Sequence, residues 1–349
     1  METPVSTRQL AMVMDLNKCL GCHTCTIACK QLWSRDEGME YMWFNTVNTL
    51  PGEGTPRGWE SMGGGFDDRG NARPGRIPRR GEYGEAWRFG YEETFFGGQP
   101  NTVALERQGE AQWGPNWDED QGGGEFPNAH YFYLPRICNH CTHPACVEAC
   151  PRGAVEKRAE DGIVTVNEER CRGYRFCQAA CPYKKIYFNH QKKVSQKCIF
   201  CFPRIDEGVA PACARQCPGR IRFVGYRDDP AAPIHKLVDQ WQVALPLHPE
   251  YGTEPNVFYV PPFSAAAYGA DGDIDETKPR IPDDYLVGLF GPRVLEALKT
   301  LKAERERKRL TGKSELMDLL IAYEWKEMFG GFDRDPAEIT VMRWIPGHE

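Results

Sequence analysis

The sequence predicts an α+β protein with two small cysteine-rich lobes, a long loop-rich insertion and a helical C-terminal extension. The first observation behind this prediction is that the 15 cysteines fall into four short runs. The second is that residues 52–124 hold 18 of the 35 glycines. The third is that apolar residues near the C-terminus recur at helical spacing.

Composition excludes several classes of protein. With 349 residues, a net charge of -6 and a pI of about 5.9, the chain is not expected to have a general attraction for nucleic acid or anionic lipid. No run of about 18 apolar residues predicts a membrane span. No leader-like or twin-arginine pattern opens the chain, so we expect that it does not direct its own export. An odd cysteine count in tight runs also contradicts a secreted disulfide framework.

Every cysteine belongs to one of the four runs. The runs are Cys19, Cys22, Cys25 and Cys29; Cys138, Cys141, Cys146 and Cys150; Cys171, Cys177 and Cys181; and Cys198, Cys201, Cys213 and Cys217. The first is spaced C-x2-C-x2-C-x3-C, and the other three end in C-x3-C followed by proline. Such a segment wraps three corners of an iron–sulfur cube and sends its last cysteine to a neighbouring cluster. The runs therefore predict two ferredoxin-like iron–sulfur lobes.

Zinc is the alternative metal. Structural zinc sites use two C-x2-4-C pairs with a longer spacer, and the fourth run, taken alone, fits zinc and iron–sulfur equally well. The first run does not fit zinc, because four cysteines within eleven residues crowd one tetrahedral site. The C-x3-C-P endings favour iron–sulfur for the other runs.

Tyr174 stands where a fourth cysteine would complete the third run, CRGYRFCQAAC. Four cubanes would need sixteen thiolates, whereas three [4Fe–4S] clusters and one [3Fe–4S] cluster need the fifteen that are present. A phenol with a pKa of about 10 is a poor iron ligand at neutral pH, and its ring would fill the vacated corner. We predict a three-iron cluster here; the alternative is a four-iron cluster with an unusual oxygen ligand.

Long motifs surround the cysteines: DLNKCLGCHTCTIACK, PNWDEDQGGGEFPN, FYLPRICNHCTHPACVEACP, CRGYRFCQAACPYKK, KCIFCFPRIDEGVAPAC and VALPLHPEYGTEPNVFYVPP. Through them, over most of residues 8–262 and more weakly to about residue 329, the chain resembles the iron–sulfur β subunits of the dimethyl sulfoxide reductase family of molybdenum enzymes. It is most similar to the branch with ethylbenzene and dimethylsulfide dehydrogenases and selenate, chlorate, perchlorate and respiratory nitrate reductases.

The resemblance implies how the cysteines pair across the chain. The first set would be Cys19, Cys22, Cys25 and Cys217, and the second Cys29, Cys198, Cys201 and Cys213, each on one cubane. The third set would be Cys138, Cys141, Cys146 and Cys181 on a third cubane, and the fourth Cys150, Cys171 and Cys177 on the three-iron cluster. Nitrate reductases of the family carry tryptophan at the position of Tyr174.

This pairing also implies the domain organisation. The first lobe would comprise residues 1–51 and 190–262, and the second lobe residues 128–189. Short strands and helices are expected in both: QLAMVMD at 9–15 predicts a strand, and DGIVTVNEERC at 161–171 predicts a turn, a strand and a return to the third run.

The insertion and the C-terminal extension differ in character. Residues 52–127 are expected to be an ordered arm that contacts a partner, and disorder is the alternative; their tryptophans are Trp59, Trp87, Trp113 and Trp117. Residues 263–349 are expected to contain two amphipathic helices that pack on this chain or a partner, with membrane-surface binding as the alternative. The apolar positions of those helices are Leu295, Leu298, Leu301, Leu316, Leu319, Leu320 and Tyr323.

Basic residues gather around the last two runs, where residues 171–220 hold ten Lys and Arg against two acidic residues. Nucleic-acid binding and a solvated face are two interpretations. We favour a third, in which cations offset the negative charge of thiolate-ligated clusters and raise their reduction potential. The predicted contributors are Arg172, Arg175, Lys184 and Lys185.

These features predict an electron-transfer subunit that has no catalytic activity of its own. The resemblance implies a molybdopterin-containing catalytic α subunit beside the first set, a haem b γ subunit beside the three-iron cluster, and a complex like ethylbenzene or dimethylsulfide dehydrogenase. It also implies the periplasm, reached folded with a twin-arginine-bearing partner, with the cytoplasm as alternative. The alternative functions are a free-standing polyferredoxin and a zinc-stabilised nucleic-acid-binding module.

Overall fold

The computed structural model describes residues 8–86 and 122–338. Within them the chain is a mixed α/β protein of small sheets and short helices, as the sequence predicts. Three tryptophans of the predicted arm, Trp87, Trp113 and Trp117, lie outside the described residues.

Short strands and helices alternate along the described chain. The strands are β1 (Leu10–Asp15), β2 (Thr46–Leu50), β3 (Phe132–Arg136), β4 (Val155–Lys157), β5 (Val164–Val166), β6 (Ile186–Asn189), β7 (Val194–Lys197), β8 (Arg222–Tyr226), β9 (Leu245–Pro246), β10 (Val257–Val260), β11 (Ala266–Tyr268) and β12 (Ile274–Pro279). The helices are α1 (Thr24–Trp33), α2 (Ala145–Glu148), α3 (Phe176–Ala180), α4 (Phe202–Ile205), α5 (Ala212–Arg215), α6 (Pro233–His235, continued by a π-turn over Lys236–Gln240), α7 (Asp283–Phe290), α8 (Val294–Thr311) and α9 (Glu315–Ile321).

Strand β1 runs through the middle of a four-stranded sheet whose order is β8–β1–β10–β9. Val13 lies opposite Phe223 of the antiparallel β8 and opposite Phe258 of the parallel β10. All six residues of β1 are buried, which explains why LAMVMD is apolar almost throughout. The predicted strand at 9–15 is confirmed, and it leads directly into the first cysteine run.

Two-stranded hairpins support the other runs. β4 pairs with β5, which confirms the turn and strand predicted at 161–171, and β6 pairs with β7 to connect the third run to the fourth. β2 pairs with β3 in antiparallel register, Asn48 opposite Leu134. Because β2 precedes the glycine-rich segment and β3 follows it, the two strands that flank that segment lie side by side.

The described first part of the glycine-rich segment packs on the chain itself. Gly64 has a φ of 110°, and a Cβ there would lie 2.7 Å from the carbonyl oxygen of Ala180. The amide of Gly65 donates to that same carbonyl at 2.9 Å. Trp59 is buried, and the guanidinium of Arg136 stacks on its ring at 3.5 Å. Residues 59–65 therefore cover the region beside the second and third cysteine runs.

Helices α7, α8 and α9 follow the β11–β12 hairpin, and the last two occupy the segments for which apolar spacing predicted helices. Leu298, Leu301 and Leu316 are buried, whereas Leu295 and Tyr323 are exposed. The predicted apolar stripe therefore faces the core over only part of its length. Among the described residues, no helix combines the length and the apolar character needed to cross a bilayer.

Candidate metal centres

All fifteen cysteines lie in the described residues, and all are free thiols. Tight loops aim them, since the residues that precede α1, α3 and α4 adopt left-handed backbone conformations: His23 at φ 54°, Arg175 at φ 62° and Cys201 at φ 54°. Each loop turns abruptly into a short helix, so cysteines a few residues apart point toward one place. The fold then brings distant runs side by side.

Cys29, Cys198, Cys201 and Cys213 line one cavity. Cys29 lies on α1 and Cys213 on α5, and these two helices pack together. Burial, reinforced by the three neighbouring thiols, raises the pKa of Cys29 well above its usual value. The rest of the cavity wall is mostly apolar, from Met12, Trp33, Phe44, Ile137, Ile199, Phe200 and Pro211. The second set predicted by the resemblance thus surrounds a single space.

Cys138, Cys141, Cys146 and Cys181 line a second cavity. They come from the loop after β3, from α2 and from the residue after α3. Burial raises the pKa of Cys146, and the nearby thiols of Cys181 and Cys138 act in the same direction. The third set predicted by the resemblance therefore also surrounds a single space.

Cys150, Cys171 and Cys177 line a third cavity together with Tyr174. Tyr174 is nevertheless 57% exposed, and its ring centroid lies 6.2 Å from that of Phe176, which is also exposed. The sequence predicts a ring that fills a vacated corner; the structure places it at the surface, because residues 172–175 form a mostly exposed loop before α3. The side chain borders the cavity from outside.

The first set is the most open. Burial raises the pKa of Cys19 to about 11, and the nearby thiols of Cys25 and Cys217 act in the same direction. Cys217 reaches this group from the fourth run. Cys22, on the loop between Cys19 and Cys25, is exposed and its Sγ lies 3.4 Å from Thr24 Oγ1.

Hydrogen-bond donors point at thiols of every set. Trp33 Nε1 donates to Cys201 Sγ at 3.0 Å, and Arg222 Nη2 donates to Cys25 Sγ at 3.3 Å. The backbone donors are the amides of Phe200 to Cys198 at 3.4 Å, His140 to Cys138 at 3.5 Å, Ala154 to Cys150 at 3.3 Å and Ser195 to Cys171 at 3.4 Å. Such donors stabilise thiolates and orient metal ligands.

The chemistry of the donor sets fits iron–sulfur clusters. Burial raises the pKa of Cys177 to about 11 and that of Cys198 to about 12, so these thiols stay protonated at pH 7 unless a metal supplies positive charge. Within the part of the chain that is described, no three His, Cys, Asp or Glu side chains converge as they would on one ion. Three or four thiols border each of three cavities, as ligands of a polynuclear cluster do.

The four cations predicted near the clusters divide into two pairs. Arg172 and Arg175 border the fourth-set cavity from the exposed loop. Lys184 and Lys185 are buried, and burial lowers the pKa of Lys184 to about 8 and that of Lys185 to about 7. Lys185 borders the third-set cavity and its ammonium donates to the carbonyl oxygen of Trp43 at 3.2 Å.

Sequence reasoning missed two donors. Trp33 lies four residues after Cys29 on α1, a spacing that puts both on one helix face and could have identified it. Arg222 lies in β8, outside every run, and contacts Cys25 of α1, which is 197 residues away in the chain. No local signal in the sequence marks it.

Comparison with known proteins extends over nearly the whole chain. A family model described as a 4Fe-4S dicluster domain matches residues 129–227. The chain is 57% identical to the selenate reductase subunit beta of Thauera selenatis, over 93% of this chain and 100% of that protein. It is 56% identical to the chlorate reductase subunit beta of Ideonella dechloratans, over 93% and 100%, and 55% identical to the dimethylsulfide dehydrogenase subunit beta of Rhodovulum sulfidophilum, over 92% and 98%.

Proposed function

We infer the function of this chain from its family, since it belongs to the iron–sulfur β subunits of the dimethyl sulfoxide reductase family of molybdenum enzymes. The chain would relay single electrons between a molybdopterin-containing catalytic subunit and a haem b subunit. It would have no catalytic activity of its own. The observation that carries the proposal is the grouping of its thiols from distant runs around separate cavities.

We assign a [4Fe–4S] cluster to each of the first three cysteine sets and a [3Fe–4S] cluster to the fourth. The cavities of the second and third sets each have four thiols in their walls, and the fourth-set cavity has three. When bound, such clusters accept and release one electron at a time. The chain's part is to hold them apart from water and to tune them through charge and hydrogen bonds to sulfur.

Exposed aromatic and aliphatic residues beside the first and fourth cysteine sets support docking of partners there. Leu20, next to Cys19, is 64% exposed, and the adjoining Gly21 packs against the ring of Tyr133. The exposed Tyr131 lies beside Tyr133, with ring centroids 5.7 Å apart. At the fourth set, Tyr174 and Phe176 are exposed together. We propose that the Leu20–Tyr131 surface meets the catalytic subunit and the Tyr174–Phe176 surface meets the haem subunit.

The sequence of this subunit does not indicate which substrate the complex uses. Three relatives between 55% and 57% identical carry names that refer to selenate, chlorate and dimethylsulfide. The catalytic subunit selects the substrate, so the complex of the ethylbenzene or dimethylsulfide dehydrogenase kind stays a prediction from the sequence. We also propose a periplasmic location, reached folded with a twin-arginine-bearing partner. Cell fractionation tests this, and activity confined to the cytoplasmic fraction would contradict it.

The test of the relay is anaerobic purification of the native complex with metal, sulfide and spectroscopic analysis. We expect iron and acid-labile sulfide for three four-iron clusters and one three-iron cluster, a paramagnetic signal in the oxidised state, and co-purification of a molybdenum-containing subunit. A lone, stable iron–sulfur monomer would instead support a polyferredoxin. More zinc than iron would support the zinc-stabilised module and end the proposal.

A further inference from the structure

Arg222 is a fully buried arginine among thiols. It begins β8, opposite Met14 of β1, so the central sheet carries its side chain into the protein interior. Burial in the protein interior disfavours the charge of this guanidinium. A buried cation of this kind is stable only beside compensating negative charge.

Hydrogen bonds fix the guanidinium. Nη2 donates to Asn45 Oδ1 at 2.8 Å and to Cys25 Sγ at 3.3 Å. Asn45 is buried and is held in turn, since its Nδ2 donates to Thr26 Oγ1 at 3.2 Å. Nε of Arg222 is buried and has no hydrogen-bond partner within the described chain. One donor therefore stays available to a sulfur atom of a cluster held by these cysteines.

The thiols around Arg222 belong to two different sets. Cys25, which Arg222 contacts, is in the first set, whereas Cys213 of the second set lies on α5, which packs against β8 and α1. From this placement and the fixed geometry, we infer that Arg222 is a positioning residue of the relay, which hydrogen-bonds a ligand of the first cluster and offsets the charge of the first and second clusters together. The inference rests on the proposed function, because it concerns clusters bound by those sets.

The consequence is an upward shift in reduction potential. Reduction adds one negative charge to a cluster, so a fixed cation and an N–H donor to a ligating sulfur both stabilise the reduced state. The first cluster should be affected most, because Arg222 contacts Cys25 directly. A lysine would keep the charge but, as a point charge, would lose the planar fork that serves Asn45 and Cys25 together.

The experiment is a redox titration of the purified complex, followed by electron paramagnetic resonance, for wild type, Arg222→Gln and Arg222→Lys. Arg222→Gln should lower the midpoint potential of the first cluster, lower that of the second by less and leave the other two unchanged. Arg222→Lys should lower the first potential by an intermediate amount. The control is Arg227→Gln, which removes an equal charge just beyond β8 from a partly exposed arginine paired with Asp239 at 2.8 Å; it should shift neither potential.

Iron content separates the possible results. An Arg222→Gln complex with full iron and unshifted potentials overturns the inference and leaves the proposed function intact, as does an equal shift in Arg227→Gln. If Arg222→Gln does not assemble, Arg222→Lys decides, and a wild-type potential for its first cluster overturns the inference. A wild-type complex without iron–sulfur signals in this subunit would instead overturn the proposed function.

Discussion

Single residues give the cysteine sets different electrostatic surroundings. Cys201 accepts a hydrogen bond from the indole of Trp33, and Cys25 accepts one from the guanidinium of Arg222. Cys22, by contrast, is exposed. Because cluster potentials depend on charge, hydrogen bonds to sulfur and solvent exposure, four sets in one chain are expected to have distinct potentials.

Tyr174→Cys should convert the three-iron cluster into a cubane with a lower potential. Tyr174 already borders the fourth-set cavity and its side chain is largely exposed, so a thiol can take its place without disturbing the core. Iron should rise from fifteen to sixteen atoms per chain, and the oxidised-state paramagnetic signal should disappear. Tyr268→Cys, at an exposed tyrosine on β11 away from the cysteine runs, is the control. Unchanged iron and spectra in Tyr174→Cys would mean that the vacant corner lies elsewhere.

Trp33→Phe should lower the potential of the second cluster. The substitution keeps an aromatic ring in the cavity wall but removes the indole donor that lies 3.0 Å from Cys201 Sγ. A hydrogen bond worth about 1 kcal/mol corresponds to roughly 40 mV in a one-electron couple, so a shift of a few tens of millivolts is expected. A redox titration measures it. Trp325→Phe, in a surface turn stacked on Arg215, should produce no shift.

Among the secondary-structure elements, the helices beside the cysteines are too short to be stable alone. α2 through α5 have four or five residues each, far fewer than the roughly 12 that an isolated helix needs. α2 packs on β4, α3 on β6, and α5 on α1 and β8. When clusters are bound, the metal ligands at the helix ends would hold these helices as well. Ligand binding then contributes directly to folding.

Glu82→Gln should loosen the turn at 80–83. Both carboxylate oxygens of Glu82 accept from Arg76 at 2.8 Å, and one accepts from the amide of Arg79 at 2.6 Å. Because this pair is partly exposed, its loss should cost less than about 1 kcal/mol. Cleavage by trypsin after Arg79 and Arg80 should therefore accelerate by up to about fivefold, as measured by mass spectrometry.

The same turn should depend on pH. Burial alone would raise the pKa of Glu82, but the bonds from Arg76 and Arg79 outweigh it and hold the pKa below the usual 4.5. Its stabilisation is thus complete above about pH 4.5 and is lost as the pH falls through the lower folded value. Hydrogen exchange should show this loss in wild type but not in Glu82→Gln. Glu85→Gln, at an exposed neighbour, should behave as wild type.

Over the whole molecule, removal of iron should disorder the cysteine lobes before the central sheet. The sheet buries β1 completely between β8 and β10, whereas residues 138–150 and 171–181 consist of loops and very short helices. After anaerobic chelation, hydrogen exchange should accelerate strongly in those two segments and much less in β1. Equal acceleration everywhere would mean that the clusters support the entire fold.

The family and the iron–sulfur character were predictable from the sequence and are confirmed by the relatives and by the matched 4Fe-4S domain. These depend on local spacing, because cysteines within one loop need only that loop to aim them. The positions of Arg222 and Tyr174 were not predictable in the same way. Arg222 contacts Cys25 across about 200 residues of sequence, and Tyr174 lies on a loop whose exposure depends on the folded chain around it.

The sequence by itself determined the kind of metal chemistry, the number of thiols and the strand that enters the first run, because each depends on residues close together in the chain. The family resemblance implied which runs belong together, but only the tertiary structure places their thiols around shared cavities and brings Arg222 to Cys25. Cys29 and Cys213 line one cavity because α1 packs on α5, and β8, which carries Arg222 to Cys25 of α1, packs on α5 as well. Contacts of that kind depend on the packing of distant elements, which spacing along the chain does not specify.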